Sequence, residues 1–223
     1  MSNNKSELKV IKTKDGTFSI YNSELNETYH SVNGALQESL HVYIQNGFNQ
    51  INTNPVHILE IGLGTGLNAA LTILEANKTK RNVVYEALEP YPLSKSIVQQ
   101  FALGYPRDVS ELLHKIAGIQ EGVTYKISPN GVFNWHLTNI QTFNSIAKYD
   151  LIYFDAFAPE KQMDIWTLDI FHKLYELLNP NGRLTTYCAK GIVKRMLKQA
   201  GFLVQAIPGP PGKREMTIAL KQS

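Results

Sequence analysis

The sequence predicts an α/β fold, a mostly parallel sheet with helices on both faces and an antiparallel edge at its C-terminal end. Three observations predict it. From residue 55 onward, short apolar β-branched runs alternate with helical patterns. Over Val56 to Leu74 a strand, a turn with glycines at 62, 64 and 66, and a helix follow one another. Acids close two of the strand-like runs, at Glu89 and Asp155, on the edge where open α/β sheets hold ligands.

The first 54 residues stand apart from that alternation. Leu8–Thr13 and Thr17–Tyr21 read as strands around the hairpin turn Lys14-Asp15-Gly16. Ser31 to Gly34 is turn chemistry, and Leu36, Leu40, Tyr43 and Ile44 recur at helical spacing. We therefore expect a small β-hairpin and helix over 1–54 that lids a main domain over 55–223. Within the main domain Val56–Ile61 is the first strand and Leu67–Leu74 the first helix. Asn77–Lys80 is a polar loop, and Asn82–Glu89 is a strand that Pro90 ends, because proline cannot donate to a ladder. Leu93–Gly104 and Val109–Ala117 read as helices, and Gly122–Ile127 and Val132–Leu137 as paired strands. Tyr149–Asp155 is a strong buried strand. Trp166–Leu178 is an amphipathic helix ended by Asn179-Pro180-Asn181-Gly182. Arg183–Cys188 is a strand and Ile192–Ala200 a helix. Phe202–Ala206 and Met216–Leu220 close the sheet without an intervening helix, hence antiparallel.

Composition narrows the function classes. The chain has 223 residues, 43% of them apolar and 18% charged, which fits a packed domain and excludes wholesale disorder. No apolar run approaches the ~18 residues of a membrane span, and Met1–Ser6 lacks the apolar core of a secretory signal. The single cysteine, Cys188, excludes an internal disulfide, fits a reducing cytoplasm, and reads as core. The six histidines show no metal-ligand spacing, so no metal is expected. Net charge is +3, yet Arg183–Ser223 holds eight basic residues against one acid, so a polyanion is the expected contact of that segment. Lys190, Lys194 and Lys198 recur every fourth residue there, and Lys213 and Arg214 follow.

The glycine spacing separates two ligand classes. A dinucleotide turn is G-x-G-x-x-G. Here Glu60, Gly62, Gly64 and Gly66 give E-x-G-x-G-x-G, which resembles motif I of class I S-adenosylmethionine-dependent methyltransferases, in which the turn cradles a methionine moiety and ribose. An acid at the tip of the second strand, Glu89 before Pro90, accepts hydrogen bonds from both ribose hydroxyls in such a fold. Asn139, followed by Ile140, occupies the place where many of these enzymes put an acid for the adenine amino group, and its side-chain carbonyl offers the same acceptor.

Further stretches resemble one family. Asp155-Ala156-Phe157-Ala158-Pro159 with Met163-Asp164-Ile165-Trp166 is similar to the D-G/A-F-A-P…W signature of tRNA (5-methylaminomethyl-2-thiouridine) methyltransferases of the MnmD type, which also form the methyltransferase half of MnmC proteins. Gly62–Asn68, Glu89–Leu93, Gly212–Met216 and the opening Tyr29-His30-Ser31…Gly34…Gln37-Glu38-Ser39 match as well. Asn139 departs from the family's Asp. The resemblance implies a Rossmann-like, seven-stranded class I methyltransferase sheet and S-adenosyl-L-methionine as cofactor. It implies a methyl transfer to the amine of 5-aminomethyl-(2-thio)uridine at the tRNA wobble position. Glu60, Gly62, Gly64, Gly66, Asn68, Glu89, Pro90, Asn139, Ile140 and Asp155 are then expected on the cofactor side, with Asp155 orienting the amine and accepting its proton. Tyr29, Ser31, Glu38, Phe157 and Trp166 are expected around the displaced nucleotide. Lys190, Lys194, Lys198, Lys213 and Arg214 are expected on phosphates of the anticodon stem-loop. A chain ending at Ser223 leaves no room for the flavin-dependent oxidoreductase half, which implies a stand-alone form.

Two other classes share these features. A spermidine synthase-like aminopropyltransferase has the same fold, but wants a second acid close after Asp155, where Ala156-Phe157-Ala158-Pro159 supplies none. A non-catalytic RNA-binding module of this fold would keep the basic residues and lose cofactor binding. A nicotinamide dehydrogenase is disfavoured by the glycine spacing.

Overall fold

The computed structural model describes residues 8–222. Met1–Ser6, read above for a secretory signal, lies outside the described residues, as does Ser223. Among the described residues no helix is long and apolar enough to cross a membrane.

The N-terminal segment forms strands β1 (Leu8–Lys12), β2 (Phe18–Asn22) and the two-residue β3 (Glu27–Thr28), an antiparallel sheet of three. The expected hairpin thus gains a third strand. Asp15 closes its turn by accepting from the Thr17 amide and from the Thr13 and Thr17 hydroxyls. Helix α1 (Ala35–Ser39) runs on through a π-helical turn, Leu40–Gln45, which buries Val42, Tyr43 and Ile44.

The main sheet is built from β4 (Val56–Ile61), β5 (Val83–Leu88), β6 (Tyr125–Ser128), β7 (Gly131–His136), β8 (Tyr149–Phe154), β9 (Leu178–Thr186), β10 (Leu203–Pro208) and β11 (Glu215–Leu220). Their order is β10-β11-β9-β8-β4-β5-β7-β6. The five central strands are parallel, and β10–β11, β11–β9 and β6–β7 pair antiparallel. The sheet therefore has eight strands, one more than the resemblance implies; the paired strands read over Gly122–Ile127 and Val132–Leu137 are β6 and β7, with β6 a short edge strand folded back by the Ser128–Gly131 turn. The chain leaves β4 toward β5 on one side and returns to β8 on the other, so β4 and β8 flank the switch point at which such sheets bind ligands.

Helices α2 (Leu67–Thr79), α3 (Lys95–Ala102), α4 (Arg107–Gly118), α5 (Leu168–Leu177) and α6 (Gly191–Gln199) cover the two faces. Helix α2 is buried continuously from Leu67 to Ile73 because the sheet lies on one side and the N-terminal helix on the other. It outlasts the expected end at Leu74, since Thr79 Oγ1 bonds back to the Glu75 carbonyl and Lys80, left-handed at φ 55°, closes it. Thr167, not Trp166, caps α5, accepting from the Ile170 amide. The Asn179–Gly182 turn becomes a bulge inside β9: Tyr149 opposes Leu178 while Leu151 opposes Arg183, with Asn181 at φ 63°.

Candidate active site

Period-two alternation decides which acids meet. On β4, Val56 and Ile58 face the core shared with α2, and Glu60 continues that face. On β8 the same face carries Leu151, Tyr153 and then Asp155; on β5 it carries Val83, Tyr85, Ala87 and then Glu89. Three carboxylates thus converge on one side of the sheet's carboxyl edge, beneath the start of α2.

The glycine turn lets backbone and ligand approach one another there. Gly62 has φ +90°, and a Cβ on it would lie 2.8 Å from the Asp155 carbonyl oxygen, so β4 and β8 close together only over glycine. Gly64, at φ +50°, leaves space for Tyr29, whose ring would be 3.1 Å from an added Cβ. In front of the turn opens a cavity of about 830 Å3, the size of a nucleoside-cofactor site. Gly62, Gly64, Glu89, Pro90, Asn139 and Ile140 line one part of it. Tyr29, Ser31, Glu38, Asp155, Phe157 and Lys213 line another.

Asp155 occupies the junction. Its Oδ1 accepts from the Tyr43 hydroxyl at 2.6 Å and its Oδ2 from Asn68 Nδ2 at 2.7 Å. Burial outweighs these two donors and the nearby Lys213, and with the charge of Glu38 it pushes the carboxyl up to about 6. Asn68 bridges: the same Nδ2 donates to Glu60 Oε1 at 2.9 Å. Glu60 is fully enclosed, and burial holds its carboxyl well above the usual carboxylate range. Glu89 accepts from the Gly64 amide and the Tyr91 amide, each at 2.8 Å, which pins the turn to the end of β5. Burial raises its carboxyl and those two amides counter the rise. His30 donates to or accepts from Thr65 Oγ1 at 2.6 Å, and burial lowers its ring to about 4, so it is neutral at pH 7.

The Tyr43 contact has a measurable consequence. In Tyr43→Phe Asp155 keeps one donor in place of two, and a hydrogen bond to a charged group is worth about 1.5–3 kcal/mol. The acidic limb of the pH–rate profile should move up by about one unit, so that activity falls further at pH 6 than at pH 8.

Several expected residues lie elsewhere. Glu60 and Asn68 sit beneath the cavity and Gly66 lies at the start of α2 against Ile116; none of the three lines it. Asn139 does line it, but its Oδ1 accepts from Thr142 N (3.0 Å) and Thr142 Oγ1 (2.7 Å), so the carbonyl expected to meet adenine is turned into its own loop. Trp166 is no base-stacking face. It is 4% exposed, on the opposite side of the sheet, with Phe154 at 4.7 Å and Phe171 behind. Its Nε1 instead donates to the Phe157 carbonyl at 2.8 Å and steadies the loop that carries Phe157, whose ring meets Tyr29 edge-on at 4.9 Å. Of the basic residues, Lys190 pairs with Glu160, Lys194 with Glu215 at 2.7 Å, and Lys213 with Glu38; Lys198 and Arg214 are exposed. The expected row of phosphate holders is partly neutralised by acids distant in sequence.

Sequence reasoning missed Tyr43, Tyr187 and Gln162. Tyr43 reads there only as one apolar step of a helix. Tyr187 reads there only as one residue of the strand Arg183–Cys188, yet its hydroxyl donates to the Ala156 carbonyl at 2.8 Å and its ring borders the cavity. Gln162 Oε1 accepts from the Phe157 amide at 2.9 Å. Among the described residues no group of three or more His, Cys, Asp or Glu is placed to hold a metal ion.

The profile of a protein family described as S-adenosyl-L-methionine-dependent methyltransferase matches residues 95–222, more than half of the chain and including Asp155. The chain belongs to this family. S-Adenosylmethionine is its cofactor, and the glycine turn, the glutamate pinned beside it and the cavity in front of both suit that molecule. Among curated relatives, the tRNA 5-methylaminomethyl-2-thiouridine biosynthesis bifunctional protein MnmC of Marinomonas sp. (strain MWYL1) is 27% identical over 221 residues, covering 89% of this chain and 32% of that protein. MnmC of Pseudomonas syringae pv. tomato is 29% identical over 209 residues, covering 86% and 32%. The chain spans about a third of the length of these relatives. Among solved structures, MnmC2 from Aquifex aeolicus superposes with a TM-score of 0.80 at 23% identity, covering 98% of this chain and 72% of that one. Spermidine synthase from Thermotoga maritima reaches 0.59 at 12% identity, covering 99% and 70%. Both likenesses are of fold.

Proposed function

We propose that the protein methylates the amine of 5-aminomethyl-(2-thio)uridine at the wobble position of tRNA. The observation that carries this reading is Asp155, a carboxylate with raised proton affinity at the floor of a cavity that joins the glycine turn to an aromatic wall. The names of the MnmC relatives support the substrate.

Bound S-adenosylmethionine supplies an electrophilic methyl group. Everything else is asked of the chain. Glu89 accepts from the ribose hydroxyls, and the bare backbone at Gly62 and Gly64 admits the cofactor close to the sheet edge. The substrate amine arrives protonated, since a comparable alkylammonium has a pKa of about 10.4. Asp155 receives that proton at the carboxylate oxygens that Tyr43 and Asn68 hold in place, directly or through a water. A carboxyl raised to about 6 is a better base than an ordinary aspartate and is still ionised at pH 7. Tyr29 and Phe157 flank the uracil, and Lys198 and Arg214 face the RNA backbone. Most of the acceleration comes from holding the reactants in line. Activity on tRNA puts the enzyme in the cytoplasm, a compartment that suits a lone reduced Cys188.

Incubation with methyl-labelled cofactor and undermodified tRNA, followed by nucleoside mass spectrometry, tests the assignment. Label is expected on the aminomethyl nitrogen. Label on a uracil carbon or a ribose oxygen overturns it, and transfer of an aminopropyl group from the decarboxylated cofactor would favour the spermidine synthase-like reading.

A further inference from the structure

Lys213 stands where two cavities meet. It lines the main cavity with Glu38, Asp155 and Tyr187, and also a shallower one of about 410 Å3 that carries Lys190 and Arg214. Its ammonium donates to Glu38 Oε1 and lies 4.1 Å from the centre of the Tyr187 ring. A carboxylate beside an aromatic face is the pairing that recognises alkylammonium ions.

The two walls of this cage are each held by a further contact, and its occupant is the tip of a flexible side chain. Glu38 is 7% exposed and its other oxygen accepts from the Ser31 amide at 2.8 Å. Tyr187 is tied through its hydroxyl to the Ala156 carbonyl. Leaving a carboxylate so enclosed without a cation opposite it is costly. Lys213 reaches the cage on a four-carbon arm from the loop 209–214 between β10 and β11. The cage, the cofactor-side carboxylate Asp155 and the substrate space are parts of one cavity, so the ammonium that Lys213 presents occupies ground that a substrate ammonium would also seek.

We infer that Glu38 and Tyr187 form an alkylammonium cage that Lys213 fills in the free protein, and that the substrate amine displaces Lys213 toward Lys190 and Arg214, where it meets an RNA phosphate. The inference rests on the proposed function for the carrier of the amine. The exchange makes amine capture depend on RNA: a free amine must evict Lys213 with nothing to receive it, whereas an amine borne by RNA brings the phosphate along. Small cellular amines are thereby kept from the carboxylate next to the methyl donor.

Titration of 5-aminomethyluridine against uridine, with S-adenosylhomocysteine present, tests the cage without turnover. Lys213→Met should bind 5-aminomethyluridine about tenfold more tightly than the unaltered protein does, with uridine unchanged. Lys213→Met combined with Glu38→Gln should lose that gain. The double variant also removes the uncompensated carboxylate, so a fold weakened in the single variant is restored and the comparison remains readable. In tRNA binding, Lys213→Met should lower the log–log salt slope by about 0.7, one single-strand phosphate contact. No gain for 5-aminomethyluridine, or an equal gain for uridine, overturns the cage; an unchanged salt slope overturns the transfer to phosphate. A preserved contrast between the nucleosides in a protein that leaves the tRNA amine unmethylated overturns the proposed substrate and not the cage.

Discussion

Asp155→Asn should lower kcat by about two to four orders of magnitude, the span that a positioned proton acceptor contributes, while cofactor affinity stays within a few-fold. Asparagine keeps the shape of the side chain and can still accept from the Tyr43 hydroxyl; Asn68, whose Oδ1 is buried without a partner among the described residues, can turn to accept from the new amide. What it loses is the proton acceptor. The unaltered enzyme should show an acidic limb with a midpoint near 6, the value set chiefly by burial of the carboxyl, and the variant should lack it. Stability should move the opposite way. A carboxyl whose folded value lies above its unfolded 3.8 binds more protons in the folded state between those two values. Its favourable contribution is complete below pH 3.8 and is lost as pH rises through about 6. Near neutrality the ionised group therefore costs on the order of 3 kcal/mol, taking about 1.4 kcal/mol per unit. Asp155→Asn removes that cost. Its melting temperature should exceed that of the unaltered protein by several degrees at pH 7.5, and the gap should close at pH 4. A variant that is inactive and also less stable at both pH values would mean that Asp155 is structural.

Glu89→Gln should raise the dissociation constant for S-adenosylmethionine about 10- to 100-fold, with a much smaller change in kcat at saturating cofactor. Two effects add. A charge-assisted pair of bonds to neighbouring hydroxyls is worth about 1.5–3 kcal/mol. The carboxylate is also the clamp on the glycine turn, one oxygen on the Gly64 amide and the other on the Tyr91 amide. Glutamine can accept at only one of these; its amino group faces the other N–H, donor against donor. Calorimetric titration separates this from general damage, because cofactor analogues lacking the ribose 2′- and 3′-hydroxyls should lose less affinity than the full cofactor. Equal binding by the variant and the unaltered protein would remove Glu89 from the cofactor site.

The edge of the sheet and the core of the site follow from local chemistry. A six-residue run with four apolar side chains before three spaced glycines carries the local signal for β4 and its turn. Period two then commits Glu60, Glu89 and Asp155 to one face, because each continues a buried series of its own strand. At Trp166 and along the basic row, a long-range contact overrode a local pattern; at Asn139 a contact three residues away did so. Trp166 has the composition of a base-stacking residue, yet the face of the sheet onto which β8 turns Phe154 takes it into the core. Lys194 and Lys213 look like phosphate holders in a row of basic residues, but Glu215 and Glu38 meet them in space.

The amino-acid sequence by itself determined the succession of strands and helices, the glycine turn and the placing of acids at strand tips, since these depend on neighbours within a few residues. Only the tertiary structure decided what each acid is for. Glu38 and Lys213 are 175 residues apart, Tyr43 and Asp155 are 112 apart, and neither pair leaves a periodic trace in the chain. Proton affinity is set by burial and by the groups packed around a carboxyl, and both exist only once the N-terminal helix has packed against the sheet.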